Sequence, residues 1–374
     1  MAEITILGAG MVGRAMALDM AKKHRVLATD ISAGVLNSLS VYRNIKTLQL
    51  DVTDIRALDA AIKTADIVIS AVPGFLGLQT MTRVIEQGKN LVDISFLPED
   101  VRFLDNLAKD KGVTVVMDCG VAPGMPNYIA GYHNEKMIIE EFEYMVGGLP
   151  VVRSFPFEYK APFSPCDVIE EYTRPARFVE NGKIVVKPAM SDPELVDFEK
   201  AGTLEAFNTD GLRSLIYTLR HIPQMKEKTL RYPGHIRLIQ AFKAAGFFDN
   251  TPLEIDGKTI TPFDFTSRLL FDSWKLGKEE REFTIMRIRL KGKENDNPVE
   301  IFYDLYDEYD TVENISSMAR TTGFTATGTV EMILDGLFTE KGVFPPELVG
   351  KDAACFDFIV SYLRERNILY RITA

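Results

Sequence analysis

Glu3-Ile4-Thr5-Ile6-Leu7-Gly8-Ala9-Gly10-Met11-Val12-Gly13 decides how the rest of the chain is read. Its first five residues, mostly apolar or β-branched, predict a short buried strand, and the glycines after them predict a sharp turn. Residues 14–23 then place Ala15, Met16, Leu18 and Met20 in a helical pattern. Strand, glycine turn and helix in that order form a dinucleotide-binding unit. Gly8 makes the tight turn, Gly10 lets backbone N–H groups approach a pyrophosphate, and Gly13 lets helix and strand close on each other. The phosphates are expected over Met11 and Val12, at the positive end of the helix. A second strand over 26–29 ends at Asp30, where a carboxylate accepts hydrogen bonds from an adenosine ribose. That carboxylate also repels a 2′-phosphate, and Ile31-Ser32-Ala33-Gly34 supplies no cation to hold one, so NAD is expected rather than NADP.

The alternation continues outward from this stretch. Strands are predicted over 45–50, 66–72, 90–95 and 113–118, with helices over 78–87 and 101–111 and a helix capped by Asp54 running to Ile62. The expected fold is α/β: an N-terminal Rossmann-type doubly wound parallel sheet over 1–121, joined to a second α+β domain over 122–314 built on a mainly antiparallel sheet. Ligands of doubly wound sheets lie beyond the carboxyl ends of the strands. Asp51, Val52, Ala71, Val72, Pro73 and Ser95 therefore join the cofactor candidates. In the second domain, 157–160 and 178–186 read as strands, the latter with an Asn181-Gly182 hairpin turn, and 283–290 pairs with 299–305. Helices are expected from Tyr232-Pro233-Gly234-His235 onward and over 261–274. The final segment, 315–374, is helical and rich in small residues near Gly323 and Gly328, and is expected to return to the first domain.

Composition bounds the function. The 374 residues are 46% hydrophobic and 26% charged, the balance of a soluble globular protein. A formal charge of −10 with no basic cluster argues against nucleic-acid binding. No signal-peptide pattern is read at the start, and the longest apolar runs are too short to span a bilayer. Three widely spaced cysteines, Cys119, Cys166 and Cys355, suggest a reducing, cytoplasmic setting. Four dispersed histidines and no CxxC or HExxH give no metal site.

Several short segments together resemble a known family. PGFLG (73–77), VDISF (92–96), APG (122–124), GGLP (147–150), IEEYTRPAR (169–177) and DGLRS (210–214) are similar to the saccharopine dehydrogenase-like family, and within it to the lysine 6-dehydrogenases. The resemblance implies transfer of hydride from a carbon bearing nitrogen to the nicotinamide. For the lysine 6-dehydrogenases it implies oxidation of the side-chain amine of L-lysine to allysine, which cyclises to piperideine-6-carboxylate, with release of ammonia. Saccharopine reductases carry an aspartate where Ala122 stands and an apolar aromatic where His235 stands.

An amino-acid substrate needs an anchor for its carboxylate and a base for its amine. His235 is the candidate base because histidine titrates near neutral pH. Lys160 and Tyr172 are candidates to share proton transfer or orient the imine. Arg174, Asn208, Asp210 and Arg213 are candidates for holding the zwitterion, with structural pairing to Glu170 or Glu171 the competing reading for Arg174. A homodimer is expected. A saccharopine or carboxynorspermidine reductase, and a non-enzymatic NAD sensor, stand as alternatives.

Overall fold

The structure is a computed structural model that describes residues 1–162, 165–277 and 280–374 and leaves the side chains of 165–167, Cys166 among them, outside the description. Two compact units are present. One comprises Met1–Ile139, Gly292–Val299 and Thr311–Leu369; the other comprises Glu140–Lys291, Glu300–Asp310 and Tyr370–Ala374.

The first unit is built on β1 (Glu3–Leu7), β2 (Arg25–Asp30), β3 (Ile45–Gln49), β4 (Ile67–Ser70), β5 (Asn90–Asp93) and β6 (Thr114–Val116). Their order across the sheet is β6-β5-β4-β1-β2-β3, and a further strand, Gly342–Phe344, adds beside β6. Every neighbouring pair is parallel. This is the doubly wound sheet expected from the sequence. The run Ile67-Val68-Ile69 is fully buried, as a strand covered on both faces must be. Leu7 lies opposite both Thr29 and Ser70, and Ser70 lies opposite Asp93, so four strand ends finish level with one another. The chain reverses its direction of progress between β1 and β4, which is where such sheets bind ligands.

The glycine turn leads into the helix Met11–Met20, and the helix Ser317–Leu334 packs against it. A Cβ on Gly323 would lie 3.0 Å from Met16 Cγ, and one on Gly328 would lie 2.9 Å from Tyr362 Cδ1. The small residues of this helix thus allow close approach on two sides. Asp54 caps the helix Ile55–Ile62 by accepting from the N–H groups of Arg56 and Ala57.

The second unit carries β7 (Ile138–Pro150), β8 (Ala176–Glu180), β9 (Lys183–Lys187), β10 (Glu194–Phe198), β11 (Gly202–Asn208), β12 (Gln224–Arg231), a small hairpin of β13 (Leu253–Ile255) and β14 (Lys258–Ile260), then β15 (Glu282–Glu294) and β16 (Asn297–Glu308). β10, β11, β12, β7, β15 and β16 follow one another across the sheet, with Tyr370–Thr373 at its far side. Pairs β10–β11, β11–β12 and β8–β9 are antiparallel, whereas β12 and β7 at the centre run parallel. Asn181 and Gly182 both take positive φ in the β8–β9 turn, the conformation that an Asn-Gly hairpin supplies cheaply.

One expected strand is absent. Residues 157–160 form turn and loop, and their alternation has another cause: the Phe157 and Tyr159 rings both pack on Trp274, at 5.6 and 5.4 Å between centroids. Aromatic packing into a core mimicked the period of a strand. Among the described residues no helix is long and apolar enough to cross a membrane.

Candidate active site

The turn after β1 is shaped by its glycines. Gly8 has φ +91°, and a Cβ there would lie 2.5 Å from the Ala71 carbonyl oxygen. A Cβ on Gly13 would lie 1.8 Å from Gly8 O, so glycine is forced by the closeness of turn and helix. A Cβ on Gly10, by contrast, would meet nothing within 4 Å. Two glycines are therefore required by the fold, while the middle one faces open space at the N-terminus of the helix, where an anion is favoured. Met11 is exposed and Val12 half-buried at the same helix start.

Asp30 ties the turn to the end of β2. Its Oδ2 accepts from Ala9 N at 2.9 Å and its Oδ1 from Ser32 N at 2.8 Å. Each carboxylate oxygen retains a further lone pair for a ribose hydroxyl. Asp51, at the end of β3, accepts from both the hydroxyl and the N–H of Thr53, which hold its pKa below the usual range. Val52 is half-buried beside it. Beyond β4, Ala71 is half-buried, Val72 is buried, and Pro73 precedes the helix Gly74–Glu86. Ser95 is buried and donates to Asp93 through both N–H and hydroxyl, at 3.0 and 2.9 Å. Burial pushes the Asp93 carboxyl up to about 7, against the pull of Ser70 and Ser95, with Asp118 adding to the rise. Cys119 near the same edge is buried, and burial pushes its thiol up to about 12. Its sulfur lies 3.0 Å from Thr329 Oγ1, which makes it a packed filler and no nucleophile.

In the second unit the residues divide into two groups. Tyr172 and His235 come together: Tyr172 Oη lies 3.0 Å from His235 Nε2. His235 Nδ1 donates to the Phe157 carbonyl at 2.9 Å, so Nε2 is the acceptor and Tyr172 the donor. Tyr172 Oη in turn accepts from Arg231 Nε at 2.9 Å. Arg231, buried on β12, also donates to Glu171 Oε2 at 2.8 Å, and its guanidinium stacks on the Tyr159 ring at 4.4 Å. Burial would lower the pKa of Arg231, but Tyr159, Tyr172 and Glu171 keep it raised and the group charged. The imidazole itself is enclosed by Tyr159, Tyr172 and Trp274.

This environment corrects the expectation that His235 titrates near neutral pH. Burial, and then the charge of Arg231, hold its pKa down to about 3, against the Phe157 hydrogen bond that favours the imidazolium. Lys160 does not join the pair. Its ammonium donates to the Ser273 carbonyl at 3.1 Å and sits 3.8 Å from Glu280.

The anchor candidates are also distributed. Arg174 pairs with Glu170 one helical turn back. Asp210 receives Arg177 in bidentate fashion, Nε and Nη2 each at 2.8 Å, together with the Arg177 N–H at 3.1 Å. Asn208 donates to Ser191 Oγ and Asp192 Oδ2. Arg213 is buried and takes φ +53°, the left-handed region that a non-glycine residue occupies only when its surroundings hold it there. Arg231, Tyr159 and Trp274 were missed in the sequence. The available signal was Arg231 directly before Tyr232-Pro233-Gly234-His235, but a strand that reads Lys226-Glu227-Lys228 before it looks solvated.

Two protein-family profiles match the chain in succession: the saccharopine dehydrogenase NADP binding domain over residues 4–116 and the saccharopine dehydrogenase C-terminal domain over residues 120–368. The mitochondrial alpha-aminoadipic semialdehyde synthase of Mus musculus is 23% identical over 422 residues, covering 92% of this chain and 45% of that protein. The saccharopine dehydrogenase [NADP(+), L-glutamate-forming] of Saccharomyces cerevisiae is 26% identical over 277 residues, 69% of this chain and 61% of that one. The chain thus spans less than two thirds of the length of these relatives. In three dimensions it resembles the apo histidine-tagged saccharopine dehydrogenase (L-Glu forming) from Saccharomyces cerevisiae, with a TM-score of 0.80 at 20% identity, covering 100% of both chains.

Proposed function

We infer the function from the premise that the chain belongs to the saccharopine dehydrogenase family, whose two domain profiles run through it end to end. It is a nicotinamide-dependent oxidoreductase acting on the carbon–nitrogen bond of an amino acid, and the substrate we assign is L-lysine, oxidised at its 6-amino group. Lysine, NAD+ and water give allysine, NADH, a proton and ammonia, and allysine closes to piperideine-6-carboxylate. The observation that carries the reading is the open face at Gly10 set between two glycines that the fold forces, next to Asp30. Gly8, Gly10, Met11, Val12, Gly13 and Asp30 would hold the dinucleotide, with Asp51, Val52, Ala71, Val72, Pro73 and Ser95 lining its path along the strand ends. When bound, the nicotinamide supplies the hydride acceptor. Asp30 favours NAD through its charge, although the matched profile is named for NADP.

On the substrate side, Arg174, Asn208, Asp210 and Arg213 are the residues we assign to holding the zwitterion; in the absence of substrate Arg174 pairs with Glu170, Asp210 with Arg177, and Asn208 with Ser191 and Asp192. Ala122, small where saccharopine reductases have an aspartate, and His235 support the simple amine over a secondary one. Tyr172 keeps its proton on the phenol oxygen and is oriented by Arg231 and His235. The amine therefore arrives deprotonated from solvent, because His235 is too weak a base to take its proton. Steady-state formation of reduced nicotinamide with L-lysine, saccharopine, ornithine and carboxynorspermidine, each with NAD+ and NADP+, tests this. Turnover is expected with lysine and NAD+, and Asp30→Ala should erode the preference for NAD+. Turnover with saccharopine and none with lysine would transfer the assignment to the saccharopine type, and cofactor binding without turnover of any amine would leave a sensor.

A further inference from the structure

The helix Ser317–Leu334 is enclosed almost throughout, with one exception. Among its described residues from Ser317 to Met332, Thr322 is the one that is not buried. A helix covered all round that opens at a single residue has a gap in its cover there. The neighbours of that gap identify what it faces. A Cβ on Gly323 would lie 3.5 Å from the Val12 carbonyl oxygen and 3.6 Å from Val12 Cγ1. A Cβ on Gly120, just beyond β6, would lie 3.1 Å from Thr322 Cγ2. Arg14 Nη1 donates to the Asn314 carbonyl at 3.2 Å, which ties the approach to this helix to the first turn of the helix Met11–Met20. Thr322 thus stands between the glycine turn after β1 and the carboxyl end of β6, on the edge where such sheets take their ligands.

Its hydroxyl is also set apart from the others of the helix, which holds five threonines. Thr321, Thr325 and Thr329 donate to the carbonyl one turn back, at 2.9, 2.8 and 3.0 Å, and Thr327 donates to Asp19 Oδ2 at 2.7 Å. Each of these four spends its one proton on an oxygen. Thr322 instead gives its proton to Met318 Sδ at 3.7 Å, and a thioether is a weak acceptor. Rotation about the C–O bond is enough to offer that proton to a better acceptor in the gap. The neighbouring helix start, with its open face at Gly10, favours an anion. A phosphate oxygen there would convert a weak O–H···S contact into a charge-assisted O–H···O bond.

We propose that Thr322 is a cofactor-contact residue: its hydroxyl donates to the diphosphate of the dinucleotide, so that the C-terminal part of the chain completes the site begun by the glycine turn. The proposal rests on the reading of Gly8 to Gly13 as the seat of a dinucleotide.

Titration of the full chain with NADH or NADPH, whichever binds more tightly, tests the contact through the fluorescence of the reduced nicotinamide, with ADP and adenosine as competitors. Thr322→Val keeps the shape of the side chain and removes only the donor. It should weaken the reduced dinucleotide and ADP by about ten-fold each and leave adenosine, which has no phosphate, unchanged. Thr322→Ser returns the hydroxyl and should restore both affinities to near the wild-type values. Thr322→Ala should show the same loss and gives a readout if Thr322→Val does not fold. Gly10→Asp, which sets a carboxylate at the open face, should abolish binding of the dinucleotide and of ADP. If Thr322→Val and Thr322→Ala bind as the wild type does while Gly10→Asp does not bind, the contact is overturned and the seat stands. If the wild type binds neither reduced dinucleotide nor ADP, the dinucleotide reading fails and the contact with it. A loss confined to the dinucleotide, with ADP unchanged, would put the hydroxyl on the nicotinamide side and overturn the diphosphate assignment. An equal loss for adenosine, without rescue by Thr322→Ser, would make Thr322 a packing residue and also overturn the proposal.

Discussion

Each unit of the chain sets an arginine against a tyrosine ring and a carboxylate, yet the two networks are finished differently. In the first unit Arg366 stacks on Tyr362 and donates to Asp19, whose side chain is 0% exposed; Tyr362 Oη and Thr327 Oγ1 donate to the same carboxylate at 2.6 and 2.7 Å. Every member belongs to one of three helices, Met11–Met20, Ser317–Leu334 and Ala353–Arg364, or to the residues just after the last. In the second unit Arg231 stacks on Tyr159 and pairs with Glu171, but Glu171 is 19% exposed and the chain of donors runs on to an imidazole. The first network closes on itself and ties helices together. The second reaches solvent through Glu171 and ends on a neutral imidazole that accepts a hydrogen bond.

The sharpest way to break this contrast is to remove each arginine. Arg366→Met leaves the Asp19 carboxylate buried with only two hydroxyl donors and should cost about 3–5 kcal/mol of stability, read from urea midpoints. Arg231→Met should cost less, about 1–3 kcal/mol, because Glu171 can turn to water and Tyr172 still donates to His235. Its larger effect should fall on kcat/KM, since Tyr172 loses the group that orients its oxygen. Equal stability losses with no kinetic difference would mean that the exposure of the carboxylate does not separate a fold network from a site network.

The same contrast explains what could be read in advance. The nucleotide half was legible because its signals are local: Gly8, Gly10 and Gly13 lie within six residues, and a central strand such as Ile67-Val68-Ile69 is a short apolar run. The strand Gly342–Phe344 was not, because three residues at a sheet edge carry no periodicity and its partner β6 lies more than two hundred residues earlier. The second half resisted because its partners are distant. Arg231 meets Tyr172 across 59 residues and Tyr159 across 72, on a strand whose neighbouring lysines suggest solvent. The low basicity of His235 was not legible, since nothing near it in the chain reveals that Tyr159, Tyr172 and Trp274 enclose it.

The smallest expected effect bears on that misjudgement. With its pKa held down to about 3, His235 stays neutral throughout the pH range where the enzyme would be assayed. On the proposed lysine reading the rate should therefore follow the substrate amine: kcat/KM should climb about ten-fold per pH unit towards the free lysine pKa of about 10.4, with no inflection near 6.5. His235→Gln keeps an acceptor for Tyr172 and should leave the shape of that profile unchanged while lowering kcat only modestly. The linked effect on stability has the opposite reach. A histidine whose folded pKa lies below its unfolded value of 6.5 contributes stability that is complete above that pH and is lost as pH falls towards about 3. Acid unfolding should accordingly begin below pH 6.5 in the wild type and be shallower in His235→Gln. An inflection near 6.5 in kcat/KM that vanishes in His235→Gln would instead make His235 a titrating base, and the second network would then be a proton path and not an orienting frame.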